Sequence, residues 1–179
     1  MSPGGHLVTT LAACAASTAV GGPAALTAGI LLGGFLIDVD HAVDYVLVER
    51  QRNLRPSAFL RYYMDGRVRR AVLVLHSYEA FTLLGLLAWW TNVLPLWGYL
   101  MGGLMHLGLD IIFNGQQTPR SIGAFYCFVY RLAHRFNTAR LIGERRTPAP
   151  AGFWRAFFEE FVPAAAKSTG TSRQGAPST

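Results

Sequence analysis

Residues 24–37 run for fourteen positions without a charge and then meet Asp38-Val39-Asp40-His41. Two carboxylates and an imidazole within four positions, at the end of an apolar segment, narrow what this chain can fold into. Ionised carboxylates withdrawn from water are costly unless a positive group pairs with them. No Lys or Arg precedes Arg50, so no basic residue nearby in sequence can do the pairing. A divalent metal ion could.

The rest of the chain resembles the apolar run more than the cluster. Only 15% of residues are charged and 51% are hydrophobic, against about 25% charged in a typical soluble domain, and the mean hydropathy is positive. This composition predicts an all-α, membrane-integral helical bundle. A soluble all-α domain with buried helices is the alternative, because short apolar runs suit both. With 179 residues the chain reads as one domain, residues 1–163. The Ser-, Thr-, Gly- and Ala-rich tail 164–179 is expected to be disordered. All 16 basic residues fall in two places, seven arginines within 49–70 and nine residues after 119. The net charge of +6 comes with no aromatic-basic interleaving, so a nucleic-acid partner is not expected. Cys14 and Cys127 lie in apolar stretches and read as small buried hydrophobes without a disulfide framework. The N-terminus has no basic region ahead of Leu7, which makes a poor cleavable signal peptide.

Four apolar segments, roughly 7–20, 24–37, 71–90 and 93–113, are joined in pairs by Gly21-Gly22-Pro23 and by Thr91-Asn92. Such tight connections predict two helical hairpins. Helices of about 20 residues in the second hairpin would cross a hydrocarbon core of ~30 Å; the first hairpin is shorter and either needs extra turns from its flanks or dips in without crossing. Small residues such as Gly29, Gly33 and Gly34 suit close helix contact. The positive-inside rule puts both basic regions in the cytoplasm, hence a multi-pass protein of the inner membrane in contact with membrane lipids. Residues 121–134 and 153–161 read as short C-terminal interfacial or packed helices.

On two antiparallel hairpins the polar residues gather at one end. His6 precedes the first segment, Asp38, Asp40 and His41 follow the second, His76 lies early in the third, and His106 and Asp110 sit in the last turns of the fourth. His106 and Asp110 are i,i+4 and share a helix face, as do Asp38 and His41 at i,i+3 if the helix continues. Asp40 and Asp44 form a further i,i+4 pair on another side. Such pairs build carboxylate–histidine metal sites in helix bundles. Mixed His and Asp ligands suit Zn²⁺ first, with Mn²⁺ or Fe²⁺ also compatible, better than Ca²⁺ or Mg²⁺. Several carboxylates without basic partners suggest two ions bridged by one of them. Glu79, one turn beyond His76, is a candidate general base, and Ser77 a candidate assisting hydroxyl. Arg69 and Arg70, with Arg67, are candidates for holding an anionic substrate group, against plain anchoring to anionic lipid. His134, flanked by Arg131 and Arg135, reads as a surface residue.

Gly5-His6-Leu7, Leu36-Ile37-Asp38-Val39-Asp40-His41, Leu75-His76-Ser77 and His106-Leu107-Gly108-Leu109-Asp110 followed by Thr118-Pro119 occur in the order found in the bacterial and archaeal membrane-bound metal-dependent hydrolases. Over residues 4–120 the chain resembles that family, and in particular its YdjM-like, LexA-regulated inner-membrane members. The resemblance implies a helical membrane protein with metal-dependent hydrolase activity and His6, Asp38, Asp40, His41, His76, His106 and Asp110 as site residues. The chain departs from the pattern in three places. Ile37 stands where such proteins carry Pro, and Arg69-Arg70-Ala71 replaces an HRG-type tract, with Leu75 in place of Thr.

The leading expectation is thus a membrane-embedded metallohydrolase acting on a phosphoester or ester of a lipid-like substrate. A non-enzymatic protein whose metal staples the hairpins, or which carries metal, is the alternative. A transporter fits less well, since transport sites lie near the membrane midplane.

Overall fold

The computed structural model describes residues 1–114, 121–143 and 152–158, which are helical with no strand among them. The chain begins with α1 (Pro3–Ala19) and α2 (Ala24–Gly34). A 3₁₀ turn (Leu36–Asp38), α3 (Val39–Val43) and a π-helical turn (Asp44–Val48) then carry the acidic cluster. α4 (Pro56–Met64) leads to α5 (Tyr78–Thr91) and α6 (Leu94–Asn114). Four short helices close the described fold: α7 (Ile122–Phe125), α8 (Phe128–Ala133), α9 (Thr138–Leu141) and α10 (Phe153–Phe158). The tail 164–179 lies outside the described residues, as does the end of the expected helix 153–161.

Both tight connections form as the sequence predicts. Gly21 adopts φ 74° between α1 and α2. Asn92, at φ 51°, ends α5 in the left-handed region, with its N–H on the Ala88 carbonyl at 2.8 Å. Asn tolerates that conformation better than most residues. α6 packs chiefly against α2, and more lightly against α5. The α2–α6 contact is backbone against backbone. A Cβ built on Gly33 would overlap the Tyr99 carbonyl, and one on Gly98 would overlap the Leu26 carbonyl. Glycine at these positions lets the two helices close until no side chain separates them.

The all-helical fold is as expected, and the helix lengths support one or two membrane crossings rather than two full hairpins. Among the described residues only α6, with 21 residues, is by itself both long and apolar enough to cross a bilayer, about 31 Å at 1.5 Å per residue. A second candidate exists if α2 and residues 36–48, bent by 46°, count as one broken span. α5 has 14 residues, which gives only ~21 Å. It starts at Tyr78 rather than near residue 71 because the preceding segment is drawn into a turn by carboxylates from the acidic cluster. Asp44 accepts the Val72 and Leu73 N–H groups at 2.6 and 3.1 Å. Asp40 accepts those of Leu75 and His76 at 3.0 and 3.3 Å. Those amides are unavailable to a helix, and Ser77 caps the one that follows.

The apolar core lies beside this turn, where Ile37, Leu73, Phe81, Leu107, Phe125, Tyr126 and Leu141 cluster. Residues 121–134 are therefore packed into the fold as α7 and α8. The cysteines are free and half-buried rather than fully buried.

Candidate metal centre

The ends of four elements deliver the polar residues to one place. His6 comes from the first turns of α1, Asp38, Asp40 and His41 from the bend after α2, His76 from the turn before α5, and His106 and Asp110 from the last turns of α6. His6, Asp40, His76, His106 and Asp110 are all buried. The structure brings all seven candidate ligands together in three overlapping groups able to hold a metal ion: His6–His106–Asp110, Asp38–His76–His106 and Asp40–His41–His76.

The middle group has the most constrained chemistry. His76 Nδ1 lies 3.0 Å from Asp40 Oδ1, and His106 Nδ1 lies 2.9 Å from the Gly34 carbonyl. Carboxylate and carbonyl oxygens only accept, so both Nδ1 atoms carry hydrogen and donate. The two Nε2 atoms therefore face each other 3.2 Å apart, each presenting a lone pair when its ring is neutral. Asp38 Oδ1 faces both, at 3.4 Å from His76 Nε2 and 3.5 Å from His106 Nε2. Three acceptors in a triangle repel one another unless a cation or a proton lies among them. Bonds of ~2.1 Å to a tetrahedral ion separate its ligands by about 3.4 Å, which is the size of this triangle. His76 shows the same demand for positive charge. Burial disfavours its cation, yet hydrogen bonds to Asp38 and Asp40 outweigh that and push it up to about 10.

The flanking groups extend the triangle on both sides. His6 stacks on His106 with ring centroids 3.7 Å apart, and its Nε2 lies 3.0 Å from Asp110 Oδ1. The other Asp110 oxygen is 3.5 Å from His106 Nε2, and the Met1 amine is a further cation at this corner, 3.2 Å from Oδ1. Opposite, His41 Nε2 lies 3.6 Å from Asp38 Oδ1, and the His41 carbonyl accepts the Tyr63 hydroxyl at 2.6 Å. Asp38 Oδ1 thus stands within 3.6 Å of three imidazoles, the position of a carboxylate able to bridge two ions.

The other site candidates are placed elsewhere. Both Glu79 oxygens are taken up at the start of α8, by the Phe128 and Val129 N–H groups at 2.8 and 3.0 Å and the Cys127 thiol at 3.2 Å. In this structure Glu79 caps the start of α8. Ser77 accepts the Ala80 N–H at 3.3 Å and donates to the Val74 carbonyl at 2.7 Å, so its hydroxyl is committed to starting α5. Arg69 and Arg70 are exposed, and their backbone N–H groups meet Glu49 Oε1 at 3.2 and 2.8 Å. Glu49 also accepts the Tyr62 hydroxyl at 2.5 Å. Burial and that carboxylate push the phenol up to about 12, which keeps it a donor. Arg69, with Arg67, lines a cavity that reaches His41, His76 and Asp110; Arg70 does not.

Two residues outside the expected set shape the centre. Asp44, visible in the sequence only as the i+4 neighbour of Asp40, ties down the amides that lead into His76. Arg131 is fully buried, donates to the Leu73 carbonyl at 2.9 Å, and lies over the Phe125 and Phe128 rings. Leu73 holds the strained value φ 45°, fixed between Asp44 and Arg131. An arginine from far along the chain therefore sits close enough to the acidic cluster for its charge to act on Asp40 and Asp44. Nothing in the spacing of residues 121–134 distinguishes it from a flanking surface charge.

Comparison with known proteins returns nothing similar to this chain: no protein-family model, curated protein or solved structure matches it.

Proposed function

We propose that the protein is a metal-dependent hydrolase of the cytoplasmic membrane, with Asp38, His76 and His106 as the inner ligands of a divalent ion, Zn²⁺ first and Mn²⁺ or Fe²⁺ next. The observation that carries this reading is the triangle of Asp38 Oδ1, His76 Nε2 and His106 Nε2, three atoms of metal-ligand type 3.2–3.5 Å apart. The resemblance to membrane-bound metal-dependent hydrolases points the same way. A cation held there supplies Lewis acidity, making water a nucleophile near neutral pH and polarising an ester or phosphoryl oxygen. Asp40 fixes the His76 tautomer and ring plane, and the Gly34 carbonyl does so for His106, as supporting partners do in metal sites. His6 with Asp110, and His41 with Asp40, offer room for a second ion on either side of Asp38.

The membrane part of the proposal rests on what the helices leave uncovered. Leu83, Leu86, Trp89 and Trp90 on α5, and Met101, Leu104 and Ile112 on α6, are large apolar side chains exposed on the surface. Large exposed apolar side chains in this number suit contact with lipid or protein, and paired tryptophans at a helix end suit the bilayer interface.

The reading is tested by assaying purified protein on chromogenic phosphate and carboxylate esters, after chelation and after adding back Zn²⁺, Mn²⁺ or Fe²⁺. Hydrolysis should disappear with chelator and return with at least one ion. A preparation that binds metal in stoichiometric amounts but hydrolyses neither ester would leave the second reading, a metal that staples the fold. One feature favours that second reading: the ligands come from four separate chain segments. His106→Ala separates the two. A staple predicts loss of the folded, detergent-stable protein; a catalytic centre predicts a folded protein with less metal.

A further inference from the structure

The candidate ligands open onto space. His41, His76 and Asp110 line a cavity of about 570 Å³, within the ~300–1,000 Å³ of small-molecule sites. Two other kinds of surface line it as well. One is cationic: Arg67 and Arg69. Arg67 is already paired with Asp65 at 3.2 Å. Arg69 has no carboxylate within ion-pair distance among the described residues, yet its backbone is held from both sides, by Glu49 on its N–H and by the Thr138 N–H on its carbonyl at 3.0 Å. A guanidinium on a fixed backbone, with no acid of its own among the described residues, is arranged to receive an anion from outside.

The other surface is apolar. Leu73 and Phe125 of the core, with Ile122 and Ile142 packed against it, face the same cavity. Inorganic phosphate has no use for such a wall, and a neutral carboxylic ester has no use for Arg69. A phosphate monoester with an apolar organic group uses both. Its oxygens match the planar fork of arginine, and burial of each methylene adds to affinity.

We propose that Arg69 is the anion-recognition residue of a site for phosphate monoesters whose organic group is apolar and rests on the wall of Leu73, Ile122, Phe125 and Ile142. This names the substrate class of the proposed metal centre and rests on that reading for catalysis, although binding through Arg69 does not require turnover.

The test is calorimetric titration of the full chain in uncharged detergent with inorganic phosphate, glycerol 3-phosphate and hexyl phosphate, with metal content measured on the same samples. Hexyl phosphate should bind at least tenfold more tightly than the other two. Arg69→Gln should weaken it tenfold or more, while Arg70→Gln, off the cavity, should leave it unchanged. Ile122→Ser should reduce the advantage of the hexyl group and spare inorganic phosphate; thermal melts verify that each variant folds. Lysophosphatidic acid in the same micelles identifies the source: tighter binding than hexyl phosphate supports a lipid-borne ester, weaker binding a water-soluble one. The proposal is overturned if Arg69→Gln binds hexyl phosphate as tightly as the unmodified protein, or if glycerol 3-phosphate binds as tightly as hexyl phosphate, even when metal is present. Arg69-dependent binding by a protein that holds no metal would instead overturn the hydrolase reading and leave the anion site standing.

Discussion

The α2–α6 seam and the polar end of the bundle are neighbours built on opposite physical terms. Along the seam, Gly33 and Gly98 bring backbone against backbone with no polar side chain involved. One residue beyond Gly33, the Gly34 carbonyl accepts His106 Nδ1 and the buried acids begin. The seam gains from dispersion and exact fit, while the polar end gains only if each buried charge finds a partner. The contrast teaches that the two depend on each other. A backbone contact without slack fixes the register that places Gly34 against His106, and so turns the His106 lone pair toward Asp38 and His76.

The largest expected effect comes from breaking the seam. Gly33→Leu drives a side chain into the Tyr99 carbonyl and should destabilise the protein by ~3 kcal/mol or more, abolishing metal binding along with the fold. A thermal melt in detergent measures it; a stable Gly33→Leu protein with intact metal content would uncouple the two regions. Asp44→Asn is the next step down. It keeps an acceptor for the Val72 and Leu73 amides but loses the charge, a change of about 1–2 kcal/mol in chemical unfolding. Asp40→Asn acts on the His76 ring as well as the backbone, and should weaken metal affinity about 10–100-fold in competition with a chromogenic chelator, with a smaller loss of stability. Glu79→Gln should do least: ~1 kcal/mol through weaker capping of α8 and unchanged metal content. A drop in esterase activity of a thousandfold in that variant, without loss of stability, would restore Glu79 as a base.

Much of the polar end is legible in the sequence, because it rests on arithmetic that holds once helices form. The i,i+4 spacing of His106 and Asp110, the Asp38–His41 cluster and the two tight turns suffice to bring seven residues to one end. What spacing does not carry is where a helix begins. The apolar run from Ala71 reads as helix, yet Asp40 and Asp44 claim its first amides through hydrogen bonds spanning about thirty residues, and α5 is left too short to cross a bilayer. The same blindness applies to Glu79, whose partners lie near residue 128, and to Arg131, whose burial depends on Phe125, Phe128 and Leu73 closing around it. Long-range partners decide these residues, and a local pattern does not encode them.

A divalent ion, rather than a proton, is proposed to occupy the triangle of Asp38, His76 and His106. Elemental analysis of the purified protein after dialysis against metal-free buffer, repeated on Asp38→Ala, tests it directly. One to two equivalents of a transition metal, Zn²⁺ foremost, are expected in the unmodified protein, and a loss of at least one equivalent in the variant, with both proteins folded. A folded unmodified protein that retains no stoichiometric metal, or an Asp38→Ala protein that retains all of it, would contradict the account.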